Sequence, residues 1–98
     1  MLQLAEPEWL AVAAEDYGAV LAELGDHHRA AKLLGAAEAM RERNSTPRDP
    51  NQQTEIEEPY NRARTALGDE TWERENHAGR DMTVEAALTE AHAADSPG

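Results

Sequence analysis

A glycine–aspartate pair at positions 25 and 26 divides two apolar stripes of helical spacing, and this punctuation constrains the fold more than any other feature. Before the pair, Trp9, Leu10, Ala13, Ala14, Tyr17, Val20, Leu21 and Leu24 recur so that each has another of the set three or four residues away. That is the period of an α-helix with an apolar side. After the pair, Ala30, Leu33, Leu34, Ala37 and Met40 do the same. Glycine adopts the left-handed conformation that closes a helix, and an aspartate behind it accepts N–H bonds at the next N-cap. Pro7 suits the first turn of the leading helix, where its missing N–H costs little. Arg41 and Arg43 suit the negative end of the second helix. With so short a turn, the two helices must pack antiparallel over residues 7–43.

The core available to such a hairpin is thin. Of the 39 apolar residues in the 98-residue chain, 19 are alanine, and phenylalanine is absent. Alanine favours helix, but burying one methyl removes little area from water. Helices therefore form readily and pack weakly, so a surface reserved for a partner or a second copy is expected.

The remainder also reads as helix. Residues 44–53, with Pro47 and Pro50, read as a loop. Thr54 and Glu57 have capping-box spacing, and Ile56, Tyr60, Ala63 and Leu67 form a stripe behind them. Pro59 interrupts that stripe, so the helix is either bent or begins at Pro59; keeping Ile56 in the stripe favours the bent helix. Gly68-Asp69 repeats the stop-and-cap pair, a short helix carries Trp72 to Gly79, and Thr83 caps a last helix through Val84, Ala87, Leu88 and Ala91. The expectation is one all-α domain over 1–98: a tetratricopeptide-type hairpin (7–43), a loop (44–53), a cap of two or three helices (54–94) and a tail (95–98).

Charge narrows the function. Nine basic against 20 acidic residues leave a formal charge of −11. Phosphate backbones repel such a chain, which disfavours direct nucleic-acid binding. Without cysteine there is no disulfide, thiol nucleophile or cysteine-based zinc site. No apolar run approaches membrane-spanning length, and Met1–Leu4 is too short for a signal peptide. A cytoplasmic protein, with no membrane partner, is expected.

Residues 11–44 resemble a tetratricopeptide repeat. Gly18, Leu21, Gly25, Asp26, Ala30, Leu34 and Ala37 fall at its small, large apolar, turn and packing positions, while Ala14 and Tyr17 replace its usual tryptophan and leucine. A wider resemblance covers most of the chain. The segments Gly25–Met40, Ala63–Gly68 and Ala78–Ala87 are similar to the last repeat region of large actinobacterial LuxR-type and related ATPase-containing transcriptional regulators. That resemblance implies a helical segment used in sensing, autoinhibition or assembly. Asn76 stands where that family often has a large aromatic, which together with Pro59 implies a looser or rearranged C-terminal half. The chain has neither a phosphate-binding loop nor a basic DNA-reading helix, so no ATPase or DNA-binding residue carries over.

Catalytic patterns are weak. His27 and His28 are adjacent and point about 100° apart on a helix, while Glu73 and His77 alone make a poor metal site. These histidines read as exposed helix residues. Glu55, Glu57 and Glu58 sit at the start of a helix, where negative charge is favourable. Ser45 and Thr46 lack a companion base. Gly79-Arg80 suits a helix cap or an ion pair between helices. No catalytic residue, cofactor or metal is expected. The candidate interaction residues are Leu2, Leu4, Trp9 and Leu10, at an edge that would abut a protein partner, the remainder of a larger regulator, or a second copy in a homodimer. A small acidic regulator binding a basic protein surface is the alternative.

Overall fold

The computed structural model describes the backbone of residues 7–95 and the side chains of residues 7–92. Five helices follow one another: α1 (Glu8–Glu23), α2 (His27–Asn44), α3 (Pro50–Leu67), α4 (Asp69–Arg80) and α5 (Val84–Asp95). The described residues contain no strand, so the all-α expectation holds.

The first turn forms as the glycine–aspartate pair requires. Gly25 has φ +92°, and the chain closes α1 with Gly25 N–H on the Ala22 carbonyl (3.1 Å) and Asp26 N–H on the Leu21 carbonyl (2.8 Å), the paired bonds of a Schellman ending. The Asp26 carboxylate then caps α2, accepting from Arg29 N (3.4 Å) and from the Arg29 guanidinium (2.6 Å). The helices run in opposite directions: Gly18 lies against Leu33, while Glu8 and Glu15 reach Arg41. Pro7 sits one position earlier than expected, as the N-cap of α1.

The third helix begins four residues before the expected Thr54. Asp49 is its N-cap, Pro50 occupies the first turn, and Asp49 and Gln52 form a reciprocal capping box (2.8 and 3.1 Å). Asp-Pro-Asn-Gln is as good a start signal as Thr-Glu-Ile-Glu, and proline at the first position decides between them. Thr54 bonds back to the Pro50 carbonyl instead (2.9 Å). The loop expected over 44–53 therefore shrinks to Ser45–Asp49. Glu55, Glu57 and Glu58 stand in the helix interior rather than at its start, and α3 continues through a buried Pro59.

Gly68 stops α3 as expected, but Asp69 and Gly79 differ from their expected roles. Gly68, at φ +86°, both ends α3 and precedes α4, and the Asp69 carboxylate accepts from Arg64 Nε (3.0 Å) instead of capping. Gly79 is no stop: it lies buried within α4, where a Cβ would overlap the Lys32 carbonyl. Gly35 is its counterpart on α2, lying on the Asn76 carbonyl. The helix backbones α2 and α4 thus touch directly, and Asn76 Nδ2 donates to the Ala31 carbonyl (3.3 Å). The looser C-terminal half implied by Asn76 is not seen. An aromatic side chain there would have to share space with two backbones in contact.

Helix α2 is the axis of the fold and touches all four others. Around it are buried ten alanines of the other helices and of α2 itself, among them Ala30, Ala31, Ala36 and Ala37, with few larger groups: Leu21, Leu33, Leu34, Met40, Ile56, Tyr60, Trp72 and Val84. A buried methyl contributes about 0.8 kcal/mol and a large side chain roughly 1.5–3 kcal/mol. Close backbone approach at the glycines increases dispersion contact where side-chain volume is short. Tyr60 and Trp72 meet edge to face, centroids 6.3 Å apart at 68°. Thr83 caps α5 through Ala86 N (3.0 Å), and Lys32 pairs with Glu90 (2.8 Å). Of the tail expected at 95–98, Asp95 ends α5 and 96–98 lie outside the described residues.

Candidate protein-interaction surface

Helix α1 is apolar on two sides. Its inner face buries Ala11, Ala14, Glu15, Gly18, Leu21 and Ala22. Its outer face leaves Trp9 66%, Val20 51% and Leu24 76% exposed. At about 100° per residue, Trp9, Asp16 and Val20 fall within roughly 20° of one line, with Ala13, Glu23 and Leu24 within about 60°. These side chains form a ridge nearly the full length of the helix.

Of the four residues read from sequence as an edge, the structure describes two. Trp9 is exposed, but Leu10 is half-buried and packs against the core. Leu2 and Leu4 lie outside the described residues. Val20 and Leu24 join Trp9 instead. The signal was present: α1 has apolar residues on more of its circumference than one buried face requires, and a helix apolar on both sides is covered on both sides or leaves one for a partner. Trp72, the other tryptophan, is buried.

Behind the inner face lies a polar network that the stripes concealed. Arg41 closes on Glu15 with both members buried, and Arg48 donates Nε to the same carboxylate (2.7 Å). Arg41 also reaches Glu8 (3.2 Å) and the Thr46 carbonyl (2.8 Å), while Tyr60 donates its hydroxyl to the Glu15 carbonyl (2.7 Å). The hydrogen bond to Glu15 is the largest cause raising the Arg41 pKa above its ordinary value. Arg41 is therefore a structural cation rather than an exposed complement to the helix dipole. Glu15 betrays itself in sequence as a carboxylate between Ala14 and Gly18 on the apolar side. Ser45, read as a loop residue, ends α2 in the left-handed conformation at φ +55°.

Beside α1, a groove of about 940 Å³ opens between the α1–α2 turn and α3, lined by Glu23, His27, Glu57, Glu58, Arg62 and small residues. His27 is half-buried rather than exposed, with Nδ1 lacking a hydrogen-bond partner among the described residues. His28 stands 3.7 Å from Glu75, and His77 is exposed. Arg80 pairs with Glu42 (2.7 Å), an ion pair between α4 and α2 that lowers the Glu42 pKa. Among the described residues no three His, Cys, Asp or Glu side chains converge as a metal site, and no helix is long and apolar enough to cross a membrane.

Comparison of the chain with protein-family models, curated proteins and solved structures finds no match. The resemblance to tetratricopeptide repeats and to transcriptional regulators rests on the residues quoted for it.

Proposed function

We propose that this chain is a non-catalytic protein–protein interaction module of tetratricopeptide character, part of or derived from a cytoplasmic transcriptional regulator, and that it engages its partner through the outer face of α1. The observation carrying this reading is the alignment of Trp9, Val20 and Leu24 on one exposed face. Isolated surface hydrophobes are ordinary. Three large ones in line, on a chain with 20 apolar residues larger than alanine, form a patch of the kind that marks an interaction site.

The test is site-specific photo-crosslinking in cells that make the protein, with the probe at Val20 or Leu24 and a control probe at Ala86 of α5. A discrete adduct from the α1 positions alone is expected, abolished by Trp9→Ser. Equal adducts from all positions, or none, refute the reading.

The acidic groove favours a second reading, in which Glu23, Glu57 and Glu58 occupy a basic site on a target protein. Binding through these carboxylates would weaken steeply with salt and survive Trp9→Ser.

A further inference from the structure

The charge pattern of α1 says what kind of element covers its outer face. The helix carries Glu8, Glu15, Asp16 and Glu23 and no Lys, Arg or His. Glu15 is consumed inside by Arg41, and Glu8 reaches the same guanidinium. Glu23 shares Arg62 of α3 (3.8 Å) with Glu58 (3.7 Å). Asp16, exposed in the middle of the apolar ridge, has no ion-pair partner among the described residues.

Resting on the docking face proposed above, we infer that its occupant is a cationic amphipathic helix and not a second copy of this chain. A symmetric pairing of two α1 ridges brings like charges together in either orientation, because every charge on the helix has one sign. Antiparallel, Asp16 sits near the midpoint and faces its own copy. Parallel, Asp16 again meets its twin. Like charges at an interface suppress that partner. A helix presenting an apolar stripe with Lys or Arg beside it covers Trp9, Val20 and Leu24 and neutralises Asp16. The ridge from Trp9 to Leu24 is about 22 Å long at 1.5 Å per residue, so it matches a helix of about four turns.

The experiment uses the full chain and two synthetic helical peptides of about sixteen residues. Both carry leucines at the spacing of Trp9, Ala13, Val20 and Leu24; one has lysines flanking the stripe, the other glutamates. Affinity is read by calorimetry, with sedimentation equilibrium of the chain alone. The lysine peptide is expected to bind at least about tenfold more tightly than the glutamate peptide. Asp16→Asn should narrow that gap, and Val20→Ser should weaken both. Equal binding, or a gap unchanged by Asp16→Asn, overturns the cationic assignment and leaves the docking face standing. A dimer that Val20→Lys dissociates overturns it in favour of a second copy. Failure of both peptides overturns the inference, and the docking face falls with it only if the in-cell cross-links from Val20 and Leu24 are also absent.

Discussion

Arg41 holds Glu15 through two parallel donors, Nε to Oε2 at 2.7 Å and Nη2 to Oε1 at 2.9 Å, with the two side chains 4% and 3% exposed. Arg48 and Tyr60 bind the same residue through its carboxylate and its carbonyl. One acidic residue of α1 therefore fastens the end of α2, the following loop and α3. Removing one member leaves the other buried charge with a single ionic partner, Arg48 for Glu15 or Glu8 for Arg41. Glu15→Gln or Arg41→Met should each cost about 3 kcal/mol, the low end for breaking a buried pair because one ionic partner remains, read as a lowered urea midpoint. Arg41→Lys should also destabilise, because an ammonium cannot reproduce the fork. The double variant Glu15→Leu with Arg41→Met should fall well short of the summed single costs, since no stranded partner of that pair remains. Additive costs would show that the pair is not coupled.

The division between what was readable in the sequence and what was not follows the range of the interactions. The α1–α2 turn was legible because Gly25 and Asp26 act on backbone groups within a few residues. The start of α3 was not, because Asp49–Gln52 and Thr54–Glu57 satisfy the same local rule and only Pro50 separates them. Gly79 has the composition of a stop, and its role depends on Lys32, 47 residues away. Trp9, Val20 and Leu24 are as apolar as buried Leu21 and interleave with the buried residues along the chain. Which side of α1 faces the core is fixed by α2 and α3, and periodicity alone does not contain that choice.

Gly35 and Gly79 set two effects against each other. Alanine at either site gains about 1 kcal/mol of helix propensity. It also places a Cβ on a backbone carbonyl, that of Asn76 for Gly35 and of Lys32 for Gly79. Backbone cannot swing aside as a side-chain tip can, so overpacking should win and leave each variant about 1–3 kcal/mol less stable. Thermal unfolding measures the sign directly. A stabilised variant would mean that α2 and α4 do not approach this closely.

Gly18 meets a different obstacle: the far end of Tyr60. A Cβ at position 18 would overlap the Tyr60 hydroxyl, whereas the ring carbon bearing it is 3.2 Å away. Gly18→Ala should therefore destabilise by roughly 1–3 kcal/mol, and Tyr60→Phe by about 1 kcal/mol because the buried Glu15 carbonyl loses its donor. Together they should cost about 1 kcal/mol less than the sum, because removing the hydroxyl makes room for the methyl. A double-mutant cycle in urea measures the coupling, and a value near zero would place Tyr60 elsewhere.

Tyr60 also gives the fold an alkaline limit. Burial first, and then the negative charge of Glu15, push its phenol well above the ordinary value of 10.0, against a smaller opposing effect of Arg48. In the unfolded chain the phenol ionises from about pH 10. In the folded chain it keeps its proton. Above that pH the native state binds one more proton than the unfolded state, so the stabilisation is complete below pH 10 and declines as pH rises through it. For this one group the limiting slope is about 1.4 kcal/mol per pH unit. Urea midpoints measured at several pH values between about 9 and 11 should fall more steeply for the native protein than for Tyr60→Phe, which has no phenol to ionise at this position. Parallel slopes for the two proteins would show that the hydroxyl reaches water in the folded state, and would break the Tyr60–Glu15 link that fastens α3 to α1.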